Sequence, residues 1–170
     1  MKAIELTQGK VAIVDDGDYE WLSQWKWHAF TPHKIFYAIR NKGDGGGGTI
    51  YMHRQILNAP SGMECDHINH DGLDNRRDNI RICTRMQNAQ NMITTEGISR
   101  YKGVFWGREK QRWQGQITKA QKRFFLGRYN NEDDAALAYN IFALTLFGEY
   151  AYINNVDAFK GKERNRNGRT

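Results

Sequence analysis

Four side chains between residues 65 and 91 have the types and spacing that could hydrolyse a phosphodiester. Asp66 and His67 are adjacent, eleven residues separate His67 from Asn79, and eight separate Asn79 from Asn88. Hydrolysis at phosphorus needs a group that takes a proton from water near neutral pH. Histidine, with an unperturbed pKa of about 6.5, is suited to that. The reaction also needs positive charge beside the crowded phosphorane and the departing oxygen. Carboxylate and carboxamide oxygens are hard ligands through which a divalent cation can supply it. One Asp-His pair or one Asn-rich turn is commonplace, so the weight lies in all four occurring in this order.

The surrounding residues must form elements that bring the four together. Met63 to His67 suits a strand, and Asn69-His70-Asp71-Gly72 has turn chemistry. A polar loop, Leu73 to Asp78, leads to the alternating run Ile80-Arg81-Ile82-Cys83, a second strand. Thr84 and Gln87 then make a capping box, which places Asn88 in the first turns of a helix facing back to the hairpin. Neighbours on a regular strand point to opposite faces, so Asp66 and His67 can share a site only if the strand ends or bulges there.

This order of strand, loop, strand and helix, with Asp66-His67, Asn79, Asn88 and the run Asp-Asn-Arg-Arg-Asp-Asn-Ile-Arg at 74–81, resembles the HNH endonucleases. It is most similar to their phage and intron-encoded homing branch, whose fold is the ββα-metal motif. The resemblance implies a DNA-cleaving hydrolase with His67 as general base and Asp66 and Asn88 as ligands of a divalent metal, Mg²⁺ first and Mn²⁺ second. It implies that Asn79 orients the loop and the histidine by hydrogen bonds. His53, at the end of an expected strand, is a candidate to line the same cleft together with Arg77 and Arg81; a purely structural histidine is the alternative. Arg76, Arg77, Arg81 and Arg85 are read as reaching the DNA backbone, with one or two pairing with Asp74 and Asp78. His70 is read as a solvent-facing turn residue.

Length and charge set the frame for this motif. A chain of 170 residues with 39% hydrophobic content can form one domain or two small ones. No apolar run of about 18 residues is present, and Met1-Lys2-Ala3-Ile4-Glu5 lacks a signal-peptide core, so a soluble, cytoplasmic protein without membrane contact is expected. Cys65 and Cys83 are too few for a disulfide scaffold and lack zinc-ligand spacing, which leaves them as small buried groups in paired strands. The net charge is +6, and residues 100–129 carry nine basic groups against one acidic. A block of that sign interleaved with Trp106, Trp113, Phe124 and Phe125 reads as a folded basic face.

Residues 1–62 read as a small β-rich platform. Short strands are expected around residues 3–6, 10–14, 25–29, 35–40 and 49–53, with a helix over Tyr19 to Gln24 and a glycine-rich hairpin tip at 44–48. The glycines do not open a helix with Lys-Ser/Thr, so a phosphate loop is not expected. Clustered Trp21, Trp25, Trp27 and Phe30 are read as core.

After residue 100, three antiparallel strands are expected over 101–106, 112–118 and 122–129. A helix follows from Glu132 to Phe147, capped by Asn131, ended by Gly148, and burying Ala135, Ala138, Tyr139, Phe142 and Leu146. Tyr-Lys-Gly-Val at 101–104, Trp113, Ile117, Leu126-Gly127, the run Ala135 to Asn140, Gly148 and Asn154 resemble the plant APETALA-two/ethylene-response-factor DNA-binding domain. The resemblance implies that the sheet enters the major groove, with Lys102, Phe105, Gln116, Thr118, Arg123 and Phe125 facing DNA. Lys102 and Phe105 stand where plant members usually carry arginine, which puts the plant sequence preference in question. Arg108, Lys110, Arg112, Lys119, Lys122 and Arg128 would add phosphate contacts.

The expected protein is therefore of α+β class. A β-rich platform (1–62) leads into a ββα-metal core (63–95) within a nuclease domain, 1–99, followed by an ethylene-response-factor-like domain, 100–156, and a basic flexible tail, 157–170. The expected activity is that of a homing-type endonuclease acting on double-stranded DNA in the cytoplasm of a phage-infected bacterium. One such site cuts one strand, so a monomer nicks, and a double-strand cut needs a dimer or two events. The rival reading is a sequence-specific DNA-binding protein on a catalytically inactive scaffold. An RNA-binding module fits the basic sheet less well, because the aromatic signature of an RNA-recognition sheet is missing.

Overall fold

The structure is a computed structural model that describes residues 1–32, 34–43, 47–92 and 98–156. The glycines at 45–46 and the tail after Val156 lie outside the described residues. The chain divides into two compact units, Met1–Asn91 and Met92–Thr170. Every sheet is antiparallel. No helix among the described residues is long and apolar enough to cross a membrane.

In the first unit, β1 (Lys2–Glu5) pairs with β2 (Val11–Val14), and α1 (Asp16–Leu22) follows. β3 (His28–Phe30), β4 (Tyr37–Asn41) and β5 (Thr49–Tyr51) form a three-stranded sheet leading straight into α2 (Met52–Leu57). β6 (Glu64–His67) and β7 (Ile80–Cys83) make a hairpin, and α3 (Arg85–Asn91) closes the unit. The two cysteines are free thiols on these paired strands.

One apolar core joins all of this. Ile4, Ala12, Val14, Leu22, Trp27, Ala38, Met52, Ile56 and Ile80 form a single buried cluster, so platform and hairpin share one interior. Trp27, fully buried, satisfies its only donor by giving Nε1–H to the Leu22 carbonyl at 2.9 Å. The loop between β6 and β7 is stitched to β2: Ile13 N donates to Leu73 O and Asn75 N to Ile13 O, each at 2.8 Å. The platform thus fixes the backbone that carries the site.

Three sequence expectations shift here. The first helix begins at Asp16, not Tyr19. The strand expected over Trp25 to Ala29 is formed only from His28, because Trp27 turns into the core. The strand expected over Thr49 to His53 stops at Tyr51 and becomes α2, which buries Met52, His53 and Ile56 and ends at Asn58 in the left-handed region, φ 48°.

In the second unit, β8 (Val104–Gly107), β9 (Arg112–Lys119) and β10 (Lys122–Tyr129) form a meander on which α4 (Glu132–Phe147) packs. Asn131 Oδ1 accepts the Asp134 N–H at 2.7 Å, the expected N-cap, and Gly148 ends the helix at φ 56°. The buried face is Ala135, Ala136, Tyr139 and Ala143; Phe142, expected inside, is 44% exposed. Small residues bring the helix close to the sheet, where Trp113 and Ile117 fill the space. Asn154 ties the ends together, bonding Lys102 N and O through its side chain and Asn140 through its backbone.

Gly103 marks the tightest approach. It sits at φ 74°, its carbonyl accepts from Gln116 N, and a Cβ there would overlap the Tyr139 ring and stand 2.6 Å from the Gln116 carbonyl. Gly103→Ala is expected to destabilise this unit by about 2 to 5 kcal/mol, combining left-handed strain with overpacking. Loss of the unit's melting transition at a lower temperature, with the first unit unchanged, checks it.

Candidate active site

β6 ends at His67. There Ile68 N donates to Asn79 O at 2.8 Å, His70 N donates to His67 O at 3.0 Å, and His70 sits at φ 64°. Up to that end the strand alternates as a pleat must. Glu64 and Asp66 turn to α3, where Asn88 Nδ2 donates to Glu64 Oε2 at 2.6 Å and Asn91 Nδ2 donates to both Asp66 oxygens at 3.0 Å. The helix starts on the expected capping box, Thr84 N to Gln87 Oε1 and Gln87 N to Thr84 Oγ1. Asn88 and Asn91, three residues apart, share its inward face. From β7, Arg81 stands in register opposite Asp66 and grips Oδ2 through Nε at 3.0 Å and Nη2 at 2.6 Å. Both side chains are nearly buried, at 11% and 7% exposed.

His67 looks the other way. Its Nε2 lies 3.4 Å from Asn75 Oδ1, and Asn75, fully buried, has its amide orientation set by Nδ2 donating to Leu73 O at 3.1 Å. Asn75 Oδ1 is then an acceptor, so the ring proton belongs on Nε2 and the free lone pair of neutral His67 on Nδ1. Burial pushes the His67 pKa below the ordinary histidine value, against the opposing pull of Asn75, Asp66, Asp71 and Asp74. The imidazole is neutral at pH 7 and able to accept a proton.

The loop between the strands is held from within. Asn79 Oδ1 accepts from Asn69 N at 3.0 Å and its Nδ2 donates to Asp74 O at 2.7 Å, while Asn69 Nδ2 reaches Asp74 Oδ2 at 2.9 Å. Asn79 is buried, and its side-chain bonds run to the loop backbone at Asn69 and Asp74.

His53 lies in the first turn of α2, not at the end of a strand. Its ring meets His67 edge-on with centroids 4.9 Å apart, and Tyr51 and Tyr37 flank it at 5.4 and 5.8 Å. Its Nδ1 is buried without a hydrogen-bond partner. Burial, then the neighbouring His67 and Arg54, pushes its pKa down to about 3. In the unfolded chain it titrates near 6.5, so below that pH the unfolded state takes up a proton that the folded state refuses. Stability is full above about pH 6.5 and falls as pH drops toward 3, by up to about 1.4 kcal/mol per pH unit from this residue. Urea unfolding at pH 7 and pH 5 is expected to show that loss, and His53→Phe is expected to reduce it.

Two arginines expected at the cleft or on DNA are committed elsewhere. Arg77 binds Asp18 of α1 through Nε and Nη2, both at 2.8 Å, and its backbone N–H meets Asp15. Arg76 chelates Asp74 at 2.7 and 2.6 Å. Both anchor the loop. The groups that sequence reasoning missed are Glu64, Asn75 and Asn91. Asn91 was signalled by the three-residue repeat of asparagine on the helix; Asn75 looked like one more polar loop residue.

In the second unit, cross-strand register puts Phe105, Gln114 and Arg128, Gln116 and Phe125, and Thr118 and Arg123 on the sheet face opposite buried Trp113 and Ile117. Arg128 lies over the Phe125 ring at 5.1 Å. Arg108, Lys110, Arg112 and Lys122 are exposed along the turns and edges. Lys102 departs from expectation: its Nζ donates to Met92 O at 2.7 Å and stands over the Tyr152 ring, and burial lowers its pKa to about 8. Lys119 Nζ likewise donates to Leu146 O at 3.1 Å.

Among the described residues, no three His, Cys, Asp or Glu side chains converge to cage a metal. What the hairpin presents to α3 is oxygen: the Glu64 and Asp66 carboxylates facing the Asn88 and Asn91 amides. That donor set fits a hard divalent ion that keeps most of its own water.

Comparison with known proteins points the same way. Residues 58–90 match the HNH endonuclease family model. An uncharacterised HNH endonuclease of Acanthamoeba polyphaga mimivirus is 29% identical over 157 residues, 88% of this chain and 78% of that protein. Protein 3.8 of Escherichia phage T7 is 34% identical over 65 residues, 38% of this chain and 54% of that protein, so the chain spans about half its length. HNH nucleases generally use a divalent metal. The HNH match lies across β6, the stitched loop and most of α3, and with the mimivirus relative it supports a DNA endonuclease, a hydrolase of phosphodiester bonds.

Proposed function

We propose that the protein is a metal-dependent, homing-type endonuclease that nicks duplex DNA, with His67 as general base. The observation that carries this reading is the His67 environment: a neutral, buried imidazole held by Asn75 so that Nδ1 is free to take a proton, one residue from the Asp66 carboxylate. Nδ1 removes a proton from the attacking water, and Nε2–H keeps the ring from rotating. Asp66 and the Asn88 oxygen would hold Mg²⁺, or Mn²⁺, which supplies charge stabilisation for the phosphorane and the departing 3′ oxygen. Asn91 is buried and gives its amide hydrogens to Asp66 and to the His67 carbonyl, so it positions the carboxylate. Asn79 holds the loop that presents His67 and Asn75.

The 100–156 segment would act as an ethylene-response-factor-like DNA-binding domain. Its open face of Phe105, Gln114, Gln116, Thr118, Arg123, Phe125 and Arg128 suits a β-ribbon in the major groove, and the exposed Arg108, Lys110, Arg112 and Lys122 suit phosphates. A monomer in the cytoplasm of an infected bacterium would cut one strand per event. An inactive scaffold is the weaker reading, because Asp66 faces Asn91 on the helix, Asn88 stands on the same helix face, and the neighbouring His67 is held by Asn75.

Supercoiled plasmid incubated with the protein and Mg²⁺ or Mn²⁺, with EDTA in parallel, tests the proposal. Nicked circles are expected only with metal. Supercoiled DNA that persists under every metal condition rejects it.

A further inference from the structure

Three of the six arginines in the first unit are neutralised: Arg76 by Asp74, Arg77 by Asp18 and Arg81 by Asp66. The positive charge that a strand of DNA would meet near His67 must therefore come from other residues. Arg40 and Arg54 are held differently. Arg40 is stacked over Trp25 at 4.3 Å and beside Trp27 at 5.7 Å, with Nε on Gln55 Oε1 at 3.1 Å and Nη1 on Asn41 O at 3.3 Å. Arg54 grips the Met63 and Pro60 carbonyls at 2.7 and 3.1 Å. Every one of these acceptors is uncharged, and among the described residues neither guanidinium has a carboxylate within 4 Å. Both are fixed in place, and among the described residues no carboxylate pairs with either charge.

The two line one open cleft of about 400 Å³ with Thr49, Ile50, Tyr51 and Gln55. One wall of the cleft adjoins the base through a chain of rings: Tyr51, which lines it, has its ring 5.4 Å from His53, and His53 is 4.9 Å from His67. Resting on the nuclease reading of His67, we propose that the Arg40–Arg54 cleft binds a backbone phosphate of the DNA strand that carries the scissile bond. A planar guanidinium already ordered by stacking and carbonyl bonds accepts a phosphate at little further entropic cost, and two such groups fix the strand's register without reading its sequence. The sheet of the second unit would then anchor the duplex, while this cleft aligns the strand with His67.

The test is a fluorescence-anisotropy titration of the full chain on a 30-base-pair duplex in EDTA at several NaCl concentrations. Each phosphate contact adds about 0.9 to the slope of log affinity against log salt. Arg40→Gln is expected to lower the slope by about one and to weaken binding several-fold at low salt, equally on unrelated sequences. Arg40→Lys is expected to keep the slope. Thr49→Glu, at an exposed strand position on the cleft, adds a carboxylate while leaving both arginines in place and is expected to act like Arg40→Gln, so the proposal does not depend on one variant folding. Unchanged slopes in folded Arg40→Gln and Thr49→Glu, with the wild type binding and nicking DNA, overturn the cleft alone. A wild type that neither binds nor nicks DNA overturns the nuclease reading with it.

Discussion

Arg81→Met is expected to lower the stability of the first unit by about 3 to 5 kcal/mol, and millimolar Mg²⁺ is expected to restore much of the loss. The Arg81–Asp66 pair is nearly buried and cross-strand, so removing the cation leaves a carboxylate out of water with, among the described residues, the Asn91 amide beside it. An unpaired buried charge costs more than the pair itself contributes. For a unit of this size the midpoint should fall by more than about 10 °C. A divalent ion held by Asp66 would replace the missing charge and stabilise the folded form that binds it. Wild type, in which the ion must compete with Arg81, should gain less from Mg²⁺ than the variant. Asp66→Asn with Arg81→Met should be more stable than Arg81→Met and indifferent to the ion. Thermal melts of the three proteins with and without Mg²⁺ decide this; equal Mg²⁺ gains in Arg81→Met and the double variant would remove Asp66 from the metal site.

Much of this arrangement is legible in the sequence because it is local. Thr84 and Gln87 announce the helix start, Asn131 and Gly148 bracket α4, and strand alternation sets both hairpin strands. The spacing of Asp66, His67, Asn79 and Asn88 is likewise a local feature, read from a single short stretch of sequence. What was not legible depends on partners distant in sequence. Arg77 looks available until α1, 59 residues earlier, brings Asp18 to it. α2 has only six residues, too few for a helical repeat to outweigh the strand-forming Ile50-Tyr51 before it. Asn75 and Asn79 are both loop asparagines by composition, and only the fold separates the one that holds His67 from the one that holds the loop. Lys102 carries the charge of a DNA contact, yet its position beside Met92 and Tyr152 directs it inward.

His67→Ala is expected to reduce the rate of strand cleavage by about 10² to 10⁴-fold, the range for loss of a general base, with little change in DNA affinity. Affinity should persist because His67 is buried among Asn75, His53 and Tyr37, and the cationic surfaces lie elsewhere. Asn75→Ala should reproduce part of the defect, since it frees the ring to rotate and to exchange tautomers while the imidazole remains. Circular dichroism and the melting midpoint separate a chemical defect from a folding one.

The central claim is that His67 performs the proton transfer, and the single-turnover nicking rate tests it most directly. With protein in excess over supercoiled plasmid and Mg²⁺ saturating, the wild type should form nicked circles at least about 10²-fold faster than folded, DNA-bound His67→Ala. Equal rates for the two proteins would contradict the account.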